Sequence, residues 1–180
     1  MFVYNWFKDT LSSIGLLKHK PRILILGLDN AGKATLLYRV KVGSWAQELD
    51  LGSMSYSTYD VGVSNNFWKN NISTIDGVIY IVDALDPSRF EESKKALDEV
   101  LAAPKLANVS FAIFGNKIDR NGAVSEEDFR FAIGLAKKGI SGTEKINEID
   151  GRPIEVFMGS FAKDTSYPEG FKWLRSKFLK

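Results

Sequence analysis

The stretch Gly27-Leu28-Asp29-Asn30-Ala31-Gly32-Lys33-Ala34-Thr35 follows directly on an apolar run at residues 23–26. Glycine, four residues, glycine and lysine are the parts of a phosphate-binding loop. Backbone N–H groups of residues 29–33 can turn inward onto phosphate oxygens, helped by the positive end of the helix that opens near Lys33. The Lys33 ammonium would then offset the β and γ charge. One part is missing: the serine or threonine hydroxyl that should follow the lysine and hold Mg²⁺ is the methyl of Ala34. Thr35 is a poor substitute, because one step along a helix turns the side chain by about 100°.

A second set lies some eighty residues on, where Gly115-Asn116-Lys117-Ile118-Asp119 follows the apolar run 109–114. Asn-Lys-x-Asp at a strand end can read guanine: the carboxylate accepts from N1–H and the exocyclic amine, the amide meets the opposite edge, and the lysine stem packs over the ring. Adenine presents no such donor pair. Alone, the tetrapeptide is a common turn. Paired with the phosphate loop, it specifies a guanine-nucleotide site.

These residues need strands that deliver loops to one edge and helices that back them. Short apolar runs at 23–26, 77–82, 109–114 and 154–158 have the character of buried parallel strands. Helical periodicity falls between them at 33–42, 88–103, 125–138 and 168–179, with Ser125-Glu126-Glu127-Asp128 as a capping start. Residues 46–51 and 54–61 read as an antiparallel pair around Gly52-Ser53. The alternation predicts an α/β fold with a mostly parallel central sheet and helices on both faces. Trp68 and Trp173 are expected in the core, and Lys94-Lys95 and Lys137-Lys138 on solvated helix faces.

The chain of 180 residues, 44% hydrophobic, is long enough for one filled core. Its net charge of +2 is too mild to imply nucleic acid, an inference that needs a basic face and not a sum, and no nucleic-acid partner is expected. Cysteine is absent, which removes disulfides, thiolate metal sites and cysteine nucleophiles together. The single histidine, His19, reads as a solvated imidazole. Residues 1–20 stand apart: Val3, Phe7, Leu11 and Ile14 recur at helical spacing, with Trp6 beside them and Lys18, Lys20 and Arg22 behind. Charge interrupts the apolar core, which argues against a signal peptide and for an amphipathic helix closed by Pro21, one that lies on a membrane surface or, in the plainer reading, folds on its own domain and buries Phe7 and Leu11 there. The expected organisation is this helix at 1–20 and a nucleotide-binding domain at 21–180.

GLDNAGK, WKN at Trp68 to Asn70, DGVIYIVDALDPSRFEESK, GNKIDR, SEEDFR, EVFM and EGFKWL occur here in order. Together they resemble the Ras-like small GTPases, and within them the Sar branch of the Arf group, the small GTPases of the COPII vesicle coat. The resemblance implies a Ras-like P-loop fold, GTP/GDP and Mg²⁺ as ligands, and ER-to-Golgi protein transport with COPII coat subunits and an exchange factor. It also implies attachment of the N-terminal helix to the cytoplasmic face of endoplasmic reticulum and Golgi membranes, with a cytosolic pool. Residue 2 is Phe, so N-myristoylation, which needs Gly there, is not expected. By the same resemblance Asp29, Asn30, Ala31, Gly32, Lys33, Ala34 and Thr35 form the phosphate loop, and Asn116, Lys117 and Asp119 contact guanine. Ser160 and Phe161, with Ala162, sit in the last base-contacting loop, and Asp60 reaches Mg²⁺ through water.

The departures from the family pattern cluster. Where the family has Asp-x-Gly-Gly-His, this chain reads Asp60-Val61-Gly62-Val63-Ser64, so the water-orienting histidine is Ser64 and a backbone-flexible glycine is Val63. The segment that carries a metal-closing threonine looks deleted after Gly43-Ser44-Trp45, and Thr58 belongs to the following strand. Mg²⁺, γ-phosphate and attacking water each lose a partner, while the guanine loop is whole. The expectation is nucleotide binding with weakened Mg²⁺, poor hydrolysis and poor switching. One alternative is a working COPII GTPase whose missing groups come from partners, for which an arginine supplied in trans is a known device. Another is a nucleotide-free scaffold or coat-binding module on the membrane.

Overall fold

The computed structural model describes residues 20–43, 46, 50–61, 68–69, 74–139 and 142–178. Strands β1 (Arg22–Gly27), β2 (Ser55–Asp60), β3 (Gly77–Asp83), β4 (Ser110–Asn116), β7 (Glu148–Ile149) and β8 (Arg152–Met158) form one sheet in the order β2-β1-β3-β4-β8-β7. Every pairing is parallel except β7 with β8 at the edge. A separate antiparallel pair, β5 (Ala136–Gly139) and β6 (Gly142–Lys145), lies outside it.

Period-two side chains split the sheet into two apolar faces. Leu24, Leu26, Val78, Tyr80, Phe111 and Ile113 pack with α2 (Phe90–Leu101) and α3 (Glu126–Ala132). Ile23, Ile25, Ile79, Ile81 and Phe114 pack with α1 (Lys33–Val42) and α4 (Tyr167–Phe178). Each fully buried aliphatic or aromatic side chain contributes about 1.5–3 kcal/mol against the ordering entropy. Trp68 is in the first core, as expected, and partly buried Trp173 packs against the second.

Two sequence expectations need correction. The helix expected at 125–138 stops at Ala132. Gly134, at φ +78, donates its N–H to Phe131 O and Leu135 donates to Arg130 O, a left-handed helix stop that glycine permits. The chain then drops buried Leu135 into the core and continues as β5, so Lys137 is exposed on a strand and not on a helix. The start was read correctly, for the Ser125 hydroxyl caps Asp128 N at 3.1 Å. Nor is there an antiparallel hairpin around Gly52-Ser53. Leu51–Ser53 is a 3-10 turn, and β2 pairs in parallel with β1. The turn carries Leu51 and Met54 into the core beneath α1, which an extended strand with alternating faces would not do. Residues 47–49, the rest of that expected strand, lie outside the described residues, as do residues 1–19 of the helix expected at 1–20.

Candidate nucleotide site

β1 and β4 end at the same edge of the sheet, and their following loops face one cleft of about 470 Å³. Binding at the carboxyl ends of parallel strands is the rule for such sheets. Asn30, Gly32, Lys33, Ala34 and Thr35 line the cleft from the first loop. Asn116, Lys117, Asp119 and Ser160 line it from the base side, and Asp60 from the end of β2. Leu37, Thr58 and Arg120 line it too, and Ala162 beside Ser160. Thr58 shares a face of β2 with Asp60, a period-two signal already present in the sequence.

Three residues assigned to the site stand outside this lining. Ala31 is buried behind the loop, and its carbonyl accepts from Asn116 Nδ2 at 2.8 Å. Phe161 is 1% exposed and packs edge-on against Phe114, so only its backbone serves the loop. Asp29 turns away to Arg89, whose Nη2 lies 2.6 Å from its carboxylate, and that bond holds the Asp29 carboxyl below its usual range. Ser64 lies outside the described residues.

Gly32 shows why the loop needs glycine. It adopts φ +115, and a Cβ there would lie 2.2 Å from Asn116 Nδ2. Asn116 is a staple between loops: besides bonding Ala31 O, its Oδ1 accepts from Phe161 N at 3.0 Å. One amide hydrogen is left for a base. Lys117 Nζ lies 2.6 Å from Asp83 Oδ2, and Asp83 Oδ1 accepts from Leu85 N, so the lysine stem is held along the cleft. A hydrogen bond with the Ser160 side chain keeps the exposed Asp119 carboxyl below its ordinary range, ionised and ready to accept.

The phosphate side differs. The Lys33 ammonium donates to Gly27 O at 3.0 Å and to Leu28 O, and pairs with Asp60. Ala34 presents a methyl, and no group of three His, Cys, Asp or Glu that could hold a metal occurs among the described residues. Mg²⁺ demands near-octahedral oxygen ligation. The Thr35 and Thr58 hydroxyls and the Asp60 carboxylate are among the oxygens that the cleft lining offers a cation.

Comparison with known sequences places this geometry. The profile of the ADP-ribosylation factor family matches residues 7–178. The chain is 40% identical over 192 residues to the small COPII coat GTPase SAR1 of Giardia intestinalis, covering 97% of this chain and 98% of that one. It is 33% identical over 199 residues to SAR1 of Nicotiana tabacum, covering all of both. The chain belongs to the Arf family, in its Sar branch. An ADP-ribosylation factor-like protein, alp41 of Schizosaccharomyces pombe, matches 68% of the chain, also at 33% identity. The tobacco alignment runs over 199 positions against the 180 residues of this Sar-branch chain, so the relative carries residues that this chain lacks.

Proposed function

We propose that this chain is a Sar-like guanine-nucleotide-binding protein of COPII transport between endoplasmic reticulum and Golgi, one that holds GDP or GTP but hydrolyses and switches poorly. One observation carries the reading. A phosphate loop and an Asn-Lys-x-Asp loop face a single cleft, and the position after the loop lysine offers that cleft a methyl. The names of the Giardia and tobacco relatives, small COPII coat GTPases, support the coat role, and the family resemblance adds coat subunits and an exchange factor as partners on the cytoplasmic face of those membranes. Residues that the tobacco protein has and this chain lacks are in keeping with a shortened segment after Gly43. In Ras-like switches that segment orders around γ-phosphate, so its loss leaves GTP little more to hold than GDP.

Denaturing the purified protein and identifying the released nucleotide by chromatography tests the reading. Guanine nucleotide is expected in near-stoichiometric amount, with little dependence on Mg²⁺ during purification. Adenine nucleotide, or none, would overturn it. One observation favours a working switch completed by partners: the Thr35 and Thr58 hydroxyls line the cleft and offer oxygens to a cation.

Residues 1–20 form the membrane segment in this reading, and 21–180 the nucleotide domain. Among the described residues no helix is long and apolar enough to cross a membrane. An amphipathic helix followed by Lys18, Lys20 and Arg22 binds by apolar burial plus attraction to anionic lipid. Removal of residues 1–20 should abolish flotation with anionic liposomes, and high salt should weaken flotation of the full chain. Equal flotation of the truncated protein would assign the helix another task.

A further inference from the structure

Arg39 is on α1, the helix that opens with Lys33, yet its side chain makes its hydrogen bonds among the described residues on the base side of the cleft. Its Nε donates to Phe161 O at 2.9 Å, its Nη2 to Ala162 O at 2.7 Å, and its Nη1 to Asp164 Oδ2 at 3.0 Å. The whole planar fork is therefore spent on one short loop, a geometry that a lysine ammonium cannot reproduce. Asp164 sits in that loop at φ +57, and its Oδ1 is buried with no hydrogen-bond partner among the described residues. Arg39 is thus the counter-charge of a half-buried carboxylate in the segment that carries Ser160.

We infer that Arg39 is a positioning residue for the base-reading loop: by fixing Phe161, Ala162 and Asp164 to the phosphate-loop helix it places the turn at Gly159 and Ser160, and through the bond from Ile118 N to Gly159 O the segment that carries Asp119. The chain of contacts is short. Ser160 accepts from Lys163 N at its hydroxyl and closes on Thr165 at its backbone, while Gly159 O beside it accepts from Ile118 N at 3.3 Å, one residue before Asp119. Without Arg39 the Asp164 carboxylate must find water, which draws the loop outward and lets Asp119 swing. The exocyclic amine of guanine then loses its acceptor, while the phosphate groups keep theirs. Arg39 therefore sets base selectivity without touching the base. This rests on the reading that the cleft holds guanine nucleotide.

Affinities of the full chain for GDP, for inosine diphosphate, which lacks the exocyclic amine, and for pyrophosphate test it, in the unaltered protein and in Arg39→Ala and Arg39→Lys. Arg39→Ala should lose about tenfold or more in GDP affinity. Its GDP-over-IDP preference should fall toward one, with pyrophosphate binding unchanged. Arg39→Lys, keeping the charge but not the fork, should fall between. An unchanged GDP-over-IDP ratio, or equal loss for GDP and pyrophosphate, would overturn the inference by making Arg39 merely structural. Should Arg39→Ala not fold, the Arg39→Lys ratio decides in the same way. If the unaltered protein prefers neither GDP over IDP nor GDP over ADP, the nucleotide reading itself fails and takes this inference with it.

Discussion

Single-turnover hydrolysis of bound GTP by the unaltered protein is expected to be at least about a hundredfold slower than the rate, on the order of 10⁻⁴ s⁻¹, of an unassisted small GTPase. The transition state needs charge stabilisation at the γ-phosphate, a metal and a placed water together, and loss of one preorganised donor alone costs about 10²–10³ in rate. Here Ala34 removes the hydroxyl ligand, Val63 stands where the family has a flexible glycine, and Ser64 stands where it places a histidine. Ala34→Thr should improve Mg²⁺-dependent nucleotide affinity and leave turnover undetected, since it mends the metal site while Val63 and Ser64 remain. Ordinary small-GTPase rates in the unaltered protein, measured by phosphate release, would promote the partner-completed switch over this reading. Restoration of turnover by Ala34→Thr alone would place the whole defect at the metal.

Asp119→Ala should lower GDP affinity on the order of ten- to a hundredfold and leave ADP affinity where it was, because the N1–H and amine donors of guanine then lie unpaired in the cleft. Calorimetric titration with both nucleotides reads this directly. The pH dependence has a definite sign. A carboxyl held below its ordinary range by the Ser160 side chain stays ionised as pH falls. GDP-over-ADP selectivity in the unaltered protein should therefore be flat from about pH 7 to pH 5 and fade only below about pH 4, where a free aspartate would already be half protonated. Equal binding of GDP and ADP at neutral pH would sink the assignment, and a midpoint near pH 6 would mean that another group reads the base.

Legibility of the sequence followed the range of the interactions involved. The strands were visible as apolar runs because parallel strands are buried on both faces, and the two nucleotide loops because each is contiguous in the chain. The end of α3 was overrun although Gly134 marked it, since apolar periodicity continued past the glycine to Leu135. The hairpin around Gly52-Ser53 was misread because turn residues there serve a 3-10 turn that buries Leu51. Arg39 left no local signal at all. Its partners lie more than a hundred residues away, and nothing near position 39 marks a nucleotide site. The structural role of Asn116, tying Ala31 to Phe161, was equally hidden behind its motif.

The order of the strands also governs how the chain assembles. β1, with its wholly apolar run, bonds on one side to β2 and on the other to β3, through Ile23 opposite Tyr56 and Gly77. β3 then waits for Ser110, and β4 for Ile154. Each of these unions closes a long loop before it gains a single sheet hydrogen bond, and within that sheet, among the described residues, only the turn between β7 and β8 at the far edge is local. Folding is accordingly paced by non-local encounters, in the slow regime of high contact order. On the ribosome, the strand that leads into the phosphate loop emerges before the other five and stays unpaired on both sides until β2 and β3 have followed it. The central position that gives β1 its final burial is thus also what leaves it longest exposed to aggregation while the chain is young.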